Sequence, residues 1–584
     1  MFIRSTLLAG FGLVMATPIS GLCARNSSLS TICTTEYVQN SLPAVGFVKG
    51  VNLDQSSISV NAVYNYSVPA TYTHPGAVGR SFCNVTFSYS HAGTNDKTNL
   101  WFFLPSPDQF QNRYLSTGGA SISMTLGEWG LSVGLVYGAA SGTTDGGFGG
   151  WDKDLSAAIL RANGVLNYDA MAAYGYKAIH EMSVIGKELT RKFYNTGGSG
   201  LNSTNTKIYS YFNGCSEGGR EGLSQIQRYG TQFDAAAIGA PAMREVVHWL
   251  QGPVVEKTVN YFPPPCELQR ITADAVAACD SLDGKIDGVA ARSDLCKHFY
   301  NATNSIGNTY NCSAVDRSFF QGGPLPAVSG TVSPAAAEVA NQIWKGLFDS
   351  KGRRISVNNF PSVPLPNAET AYNPVTNSYV PFPNGALLNL LVREEYTFDF
   401  PLEDFTFDTM RDWIIQGKQK FGYPLEAAWP DLEKFRDNGG KVLHWHGEAD
   451  GVIPAMSSTI YYDAVRKTMY PGLGLNESYA ELKDWYKLFL VPGAGHCDPN
   501  VEQPTGAFPR DILKSLIDWA EGDVNPERLP ATVLSGPEQG ERQDICSWPL
   551  RPLWSSAGEL KCVFDEDAME VFVPSMDGIP VPVY

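Results

Sequence analysis

Apolar and polar residues alternate along Phe82-Cys-Asn-Val-Thr-Phe-Ser-Tyr, and Leu100-Trp-Phe-Phe-Leu is a short apolar run, both within a segment from 33 to 115. A period of two places successive side chains on opposite faces, so this segment predicts strands feeding a sheet. Further along, Tyr168 to Phe193 carries apolar residues at helical spacing, Lys207 to Asn213 is β-branched and aromatic, and Gly218 to Tyr229 is helical again. A strand follows from Phe233 to Ile238. Such β-α-β alternation predicts a mainly parallel sheet with helices on both faces. After Ala242 the regularity stops until Gly440, with Pro263-Pro264-Pro265, an Asp/Gly-rich loop near 283 and a Gly/Pro/Ser/Ala-rich stretch from 321 to 338, which reads as an inserted domain. The α/β pattern returns at Gly440-Lys-Val-Leu-His-Trp-His and at Tyr486-Lys-Leu-Phe-Leu-Val. Each run ends at a turn, so the sheet resumes there.

Composition narrows the class. With 584 residues, 43% hydrophobic and 17% charged, the chain has ample material for a core. Lys plus Arg count 43 against 59 Asp plus Glu, a formal charge of −16, which argues against nucleic acid or an anionic membrane as partner. The N-terminus has one basic residue, Arg4, before an apolar stretch from Leu7 to Ala16, the pattern of a signal peptide. That run is far shorter than the roughly 20 residues of a membrane span, so the expectation is a soluble, secreted protein. Eleven cysteines leave one surplus. Cleavage after Ala24 removes Cys23 and leaves ten, enough for five disulfides, whereas cleavage after Ala16 leaves Cys23 unpaired. Cys546 and Cys562 form an expected pair in the tail, Cys279 and Cys296 can close a loop, and Cys33, Cys83, Cys266 and Cys312 are further disulfide candidates. Glycosylation sequons at Asn26, Asn65, Asn84, Asn202, Asn301, Asn311 and Asn476 fit the secretory route.

The strongest local motif is Gly214-Cys215-Ser216-Glu217-Gly218-Gly219-Arg220, a Gly-X-Ser-X-Gly pattern between a predicted strand and a predicted helix. Glycines on either side of the serine allow a tight strand-to-helix turn that projects the hydroxyl, and the helix N-terminus beneath it supplies amides for an oxyanion. An α/β-hydrolase brings its acid and then its histidine after later strands. His446-Gly447-Glu448-Ala449-Asp450-Gly451 follows one resumed strand, and Pro492-Gly493-Ala494-Gly495-His496-Cys497 follows the next. Asp450 is the expected acid, with Glu448 as the alternative, and His496 the expected general base. His444 and His446 lie on one strand, too early for that order. The Glu217 amide is the first expected oxyanion donor. Gly119, in Ser116-Thr117-Gly118-Gly119-Ala120, is the expected second.

Cys215 directly precedes the serine and Cys497 directly follows the histidine. If Ser216 and His496 are in hydrogen-bond reach, a disulfide between these neighbours is geometrically feasible. The motifs around Ser216, Asp450 and His496 together resemble the Cys-Ser, Asp, His-Cys arrangement of the tannase and feruloyl esterase family. Pro263-Pro-Pro-Cys-Glu-Leu, Ala278 to Val289 and the ending Val581-Pro-Val-Tyr are similar to its fungal tannase members. The resemblance implies esterases of phenolic acids in which Cys215 is joined to Cys497 and a lid is inserted after the nucleophile. The expected organisation is a signal peptide at 1–24, an α/β-hydrolase domain at 25–241 and 426–584, and a lid at 242–425.

Within that lid, Cys279-Asp280-Ser-Leu-Asp283-Gly284-Lys285-Ile-Asp287-Gly288-Val289 gathers three carboxylates in a glycine-containing loop. The residues alone read equally as a solvated Asp/Gly turn or as hard oxygen ligands for Ca²⁺. The resemblance implies the metal, a structural ion held by the side chains of Asp280, Asp283 and Asp287 and the carbonyls of Lys285 and Val289, with no organic cofactor. It further implies hydrolysis of galloyl esters and depsides, with a feruloyl or chlorogenate esterase as the second enzyme reading. A calcium-dependent phenolic-binding protein on an inactive hydrolase scaffold is the competitor from another class.

Overall fold

The computed structural model describes residues 28–151, 159–195, 207–243, 251–317, 323–365, 370–381, 394 and 405–574. The stretch that reads as a signal peptide, Cys23, Asn26, Asn202 and the Val581 to Tyr584 ending lie outside them.

Nine strands form one sheet: β1 (Val51–Val68), β2 (Ala77–His91), β3 (Thr98–Pro105), β4 (Arg113–Thr117), β5 (Ala139–Thr144), β6 (Tyr209–Cys215), β7 (Ala235–Gly239), β8 (Lys441–Gly447) and β9 (Tyr486–Val491). Their spatial order is β1-β2-β3-β5-β4-β6-β7-β8-β9. The first three and β5 pair antiparallel, while β5 with β4 and every later neighbour run parallel. Successive side chains on the parallel strands enter different cores, as a period of two requires. Phe212, Ala236, Ile238, Val442 and Leu488 pack with Leu189 of α2 (Ala178–Phe193), Leu223 of α3 (Glu217–Arg228) and Val465 of the helix Met456–Met469. Tyr211, Ala235, Ala237, Leu443 and Phe489 pack on the opposite face with Val133 of α1 (Gly127–Val136) and Leu516 of the helix Ile512–Gly522. Helices therefore cover both faces of a mainly parallel sheet, as in an α/β-hydrolase.

Strands β7 and β8 are neighbours in space, with Ala235 opposite Lys441, although two hundred positions separate them in sequence numbering. The intervening chain is more regular than its composition suggests. It carries the helices Gln251–Val259, Pro265–Cys279, Ser293–Phe299, Pro334–Lys345 and Phe407–Phe421. Pro265 and Pro334 sit in the first helical turn, where the missing N–H costs nothing, and the Ser333 hydroxyl accepts from the Ala336 amide as an N-cap. Prolines that read as breaks in the sequence are helix starts in the structure. No helix among the described residues is long and apolar enough to cross a membrane.

Candidate active site

Ser216 occupies the turn between β6 and α3 with φ 64° and ψ −122°, a conformation costing on the order of 1–3 kcal/mol for a residue with a side chain. Backbone bonds hold it there: the Ser216 amide donates to Gly239 O at 3.0 Å, and the Arg220 amide donates to Ser216 O at 3.0 Å. Gly214 is required because a Cβ would lie 2.4 Å from Gly218 O, so strand and helix touch backbone to backbone.

Asp450 follows β8 and His496 follows β9, so the two parallel strands deliver both to the same sheet edge as Ser216. His496 Nε2 lies 2.8 Å from Ser216 Oγ, and His496 Nδ1 lies 2.7 Å from Asp450 Oδ2. The serine hydroxyl donates to a bare Nε2 when Nδ1–H donates to the carboxylate. Asp450 Oδ1 accepts the amides of Val452 at 2.8 Å and Ile453 at 2.9 Å. Burial opposes ionisation of Asp450, yet His496, His446 and their hydrogen bonds hold its carboxyl well below the usual carboxylate range. Burial lowers the basicity of His496, and the charge and hydrogen bond of Asp450, with a contribution from Asp498, outweigh it and raise the imidazole above its ordinary value.

The alternative acid is excluded by its partners. Glu448 is buried and bound to Arg551, with Oε2 at 3.1 Å from Nη1 and Oε1 against Nη2, and it accepts from Ser293. Arg551 also reaches Asp294 at 3.1 Å. Of the residues that the sequence left aside, His446 is brought to the site, its Nε2 3.2 Å from Asp450 Oδ2. The available signal was the spacing of His444 and His446, which puts both rings on one face of β8.

Among the described residues five disulfides are present: Cys33–Cys83, Cys215–Cys497, Cys266–Cys312, Cys279–Cys296 and Cys546–Cys562. The second, with Cα atoms 6.0 Å apart, ties the serine turn to the histidine loop.

The Glu217 amide opens α3 beside the serine, and the Glu217 side chain turns away into a buried pair with Arg220. The amide of Gly119, the expected second oxyanion donor, already has an acceptor in this arrangement. It donates to Glu221 Oε2 at 2.8 Å, and the next amide, Ala120, donates to Ser123 O at 3.1 Å. Glycine is needed at 119 for close packing, since a Cβ would meet Ser123 O at 1.8 Å. Burial and the neighbouring Glu217 push the Glu221 carboxyl well above the usual range.

In the Asp/Gly loop, Asp280 Oδ1 accepts the amides of Asp287, Gly288 and Val289, and Asp283 Oδ1 accepts the amide of Lys285. Burial, with Asp287 and Asp280 adding to it, pushes Asp283 up to about 6. Lys285 Nζ lies 3.0 Å from Asp287 Oδ2. The donor set is chemically suited to a hard divalent cation, although among the described residues no three His, Cys, Asp or Glu side chains converge into a ready-made ligand cluster. The loop also braces the histidine segment: Ala290 N donates to Gln503 Oε1 at 2.9 Å, and Thr505 Oγ1 donates to Asp287 O.

Known proteins share this arrangement of chain and fold. A tannase from Aspergillus oryzae is 38% identical over 98% of this chain and 99% of its own. A probable feruloyl esterase from Arthroderma benhamiae is 29% identical over 83% of this chain and 86% of its own. The solved structure of a tannin acyl hydrolase from Aspergillus niger superposes with a TM-score of 0.90 at 43% identity, covering 96% of this chain and all of that one. The sequence model described as Tannase and feruloyl esterase matches residues 83–569, so the chain belongs to the tannase and feruloyl esterase family of carboxylic ester hydrolases.

Proposed function

We propose that this protein is a tannin acyl hydrolase, cleaving galloyl esters and depsides to gallic acid through an acyl-enzyme on Ser216. The observation that carries the reading is the hydrogen-bonded sequence Ser216–His496–Asp450 at one sheet edge. Ser216 Oγ attacks the ester carbonyl while His496 Nε2 takes its proton, and Asp450 holds the ring and stabilises the imidazolium. The Glu217 amide faces the oxyanion. Collapse of the tetrahedral intermediate breaks the ester bond, and His496 returns the proton to the departing alcohol or phenol oxygen. Water, deprotonated by the same ring, then attacks the acyl carbonyl, releases the acid and restores Ser216.

The galloyl preference is supported by the relatives that match nearly the whole chain, which carry tannase and tannin acyl hydrolase names at the higher identities. Secretion is supported by the leader-like N-terminus and by exposed sequons at Asn65, Asn301, Asn311 and Asn476. Asn84 is partly buried, its Oδ1 accepting from Trp101 Nε1 at 2.6 Å. For the loop at 280–289, Ca²⁺ is supported by hard oxygen donors: the carboxylates of Asp280, Asp283 and Asp287 and the carbonyls of Lys285 and Val289. The ion would neutralise crowded carboxylates and stiffen the insertion beside the histidine loop.

Initial rates on methyl gallate and methyl ferulate, for wild type and Ser216→Ala, test the reading. Gallate preferred, with turnover lost in the variant, is the expected result. Preference for ferulate would move the protein to the feruloyl esterases with the same machinery, and tannin binding without turnover of either ester would defeat the enzymatic reading.

A further inference from the structure

Behind the acid lies a buried row of polar groups that the triad does not use. His446 Nε2 is 2.9 Å from Ile453 O and 3.2 Å from Asp450 Oδ2, and its Nδ1 is 2.6 Å from Ser458 Oγ. Ser458 Oγ is 2.8 Å from His444 Nε2, and His444 Nδ1 is 2.8 Å from Tyr486 OH. His444, His446, Ser458 and Tyr486 are all fully buried, so solvent does not reach the row to accept a misplaced proton.

Proton positions follow from the end that can only accept. The Ile453 carbonyl has no proton, so His446 Nε2 carries one. In the neutral ring Nδ1 is then bare, and the Ser458 hydroxyl must donate to it. Its single proton spent, Ser458 accepts from His444 Nε2–H, and the bare His444 Nδ1 accepts from Tyr486 OH. The Tyr486 hydroxyl meets no competition from Tyr462, which donates to the Tyr486 carbonyl at 2.9 Å. Burial keeps His444 neutral by lowering it well below the ordinary histidine value. Every bond in the row therefore points the same way, and such chains polarise cooperatively.

We propose that Tyr486, His444, Ser458 and His446 form a one-way chain of hydrogen-bond donors that ends on Asp450 and tempers the basicity of His496, making His446 a positioning residue. The inference rests on the Ser216–His496–Asp450 reading. Asp450 Oδ2 serves two rings, and charge drawn toward His446 is charge withheld from the His496 imidazolium. A base that returns its proton to the leaving group in the next step benefits from that restraint. His496 otherwise faces Asp450, Ser216 and the charge of Asp498; among the described residues Asp450 faces the two histidines, two amides and the same Asp498 charge; Glu448, on the same turn, is occupied by Arg551. Tyr461 and Tyr462 adjoin Tyr486 at the far end.

The test is the pH profile of kcat/KM on the preferred ester in His446→Phe, Ser458→Ala and Tyr486→Phe, with melting temperature measured alongside. Loss of the donor makes Asp450 a stronger partner, so the acid limb moves upward by about half a pH unit in His446→Phe, by less in Ser458→Ala and least in Tyr486→Phe. His446→Phe also lowers kcat about tenfold with KM within about twofold, and His446→Gln, which keeps an N–H, restores part of both. An acid limb unmoved in His446→Phe and Ser458→Ala, with kcat falling only as melting temperature falls, overturns the proposal. Should His446→Phe fail to fold, Ser458→Ala and Tyr486→Phe decide it by the same criterion. Ser216→Ala and His496→Ala, run in parallel, separate the two levels: turnover surviving in either sinks the triad reading itself, whereas turnover lost in both with unmoved limbs sinks only the donor chain.

Discussion

Glu448 and Asp450 leave the same strand end, both buried, yet they are held by opposite kinds of partner. Glu448 meets a full positive charge, Arg551, which also binds Asp294, while Arg292 joins Asp294 to Asp565. Asp450 meets dipoles: two amides and the His446 ring on one side, His496 on the other. A carboxylate saturated by a guanidinium has little charge left to offer a histidine, and its energy goes into joining the insertion, the β8 turn and the strand Leu550–Trp554 that carries Arg551. A carboxylate held by neutral donors is fixed in place with its charge intact. One turn thus carries a structural acid and a chemical acid, distinguished by the formal charge of what surrounds them.

The sharpest way to break this comparison is to neutralise each acid in turn. Asp450→Asn is expected to lower kcat on methyl gallate by about 10⁴-fold with little change in melting temperature, because the histidine tautomer is lost while the packing is not. Glu448→Gln is expected to leave kcat within about tenfold and to destabilise the fold; equal kcat losses in the two would erase the distinction.

Next in size is Arg551→Met, which leaves Glu448 an uncompensated buried charge and Asp294 with Arg292 alone. Urea unfolding should show a loss of about 3–5 kcal/mol, and a loss below about 1 kcal/mol would mean that the cluster contributes specificity rather than stability.

The pH profile sharpens the same contrast. His496 must be neutral to accept the serine proton, and its raised value means that activity falls as pH drops through a midpoint above the ordinary 6.5. Asp450→Asn removes the charge that raises the ring, so its residual activity should show that midpoint at lower pH. In Glu448→Gln the midpoint should stay in place.

The smallest expected effect is that of calcium removal. If the 280–289 loop binds the ion, chelation lowers the melting temperature by about 2–5 °C, and Asp283→Asn should abolish that difference. A melting curve indifferent to chelator would return the loop to a plain Asp/Gly turn.

Much of this was readable along the chain. The order of Ser216, Asp450 and His496 follows from three strand-then-turn patterns, each local, because a parallel sheet delivers the residue after every strand to the same edge. The helices at 265–279 and 334–345 were not, since proline reads as a break unless its place in the first turn is known. Gly119 was assigned to the oxyanion from its flexibility, but the competing acceptor, Glu221, is 102 positions away. His446 was set aside by chain order, which says nothing about which side chains share a carboxylate.

The sequence by itself determined the strand and helix periods, the serine turn and the chain order of acid and base, because each depends on residues within a few positions of one another. Only the tertiary structure decided which acid faces the histidine, which amide is already engaged and which rings line up behind Asp450. Those outcomes depend on the unique partner that folding brings to each buried polar group, and burial is what makes that partner count.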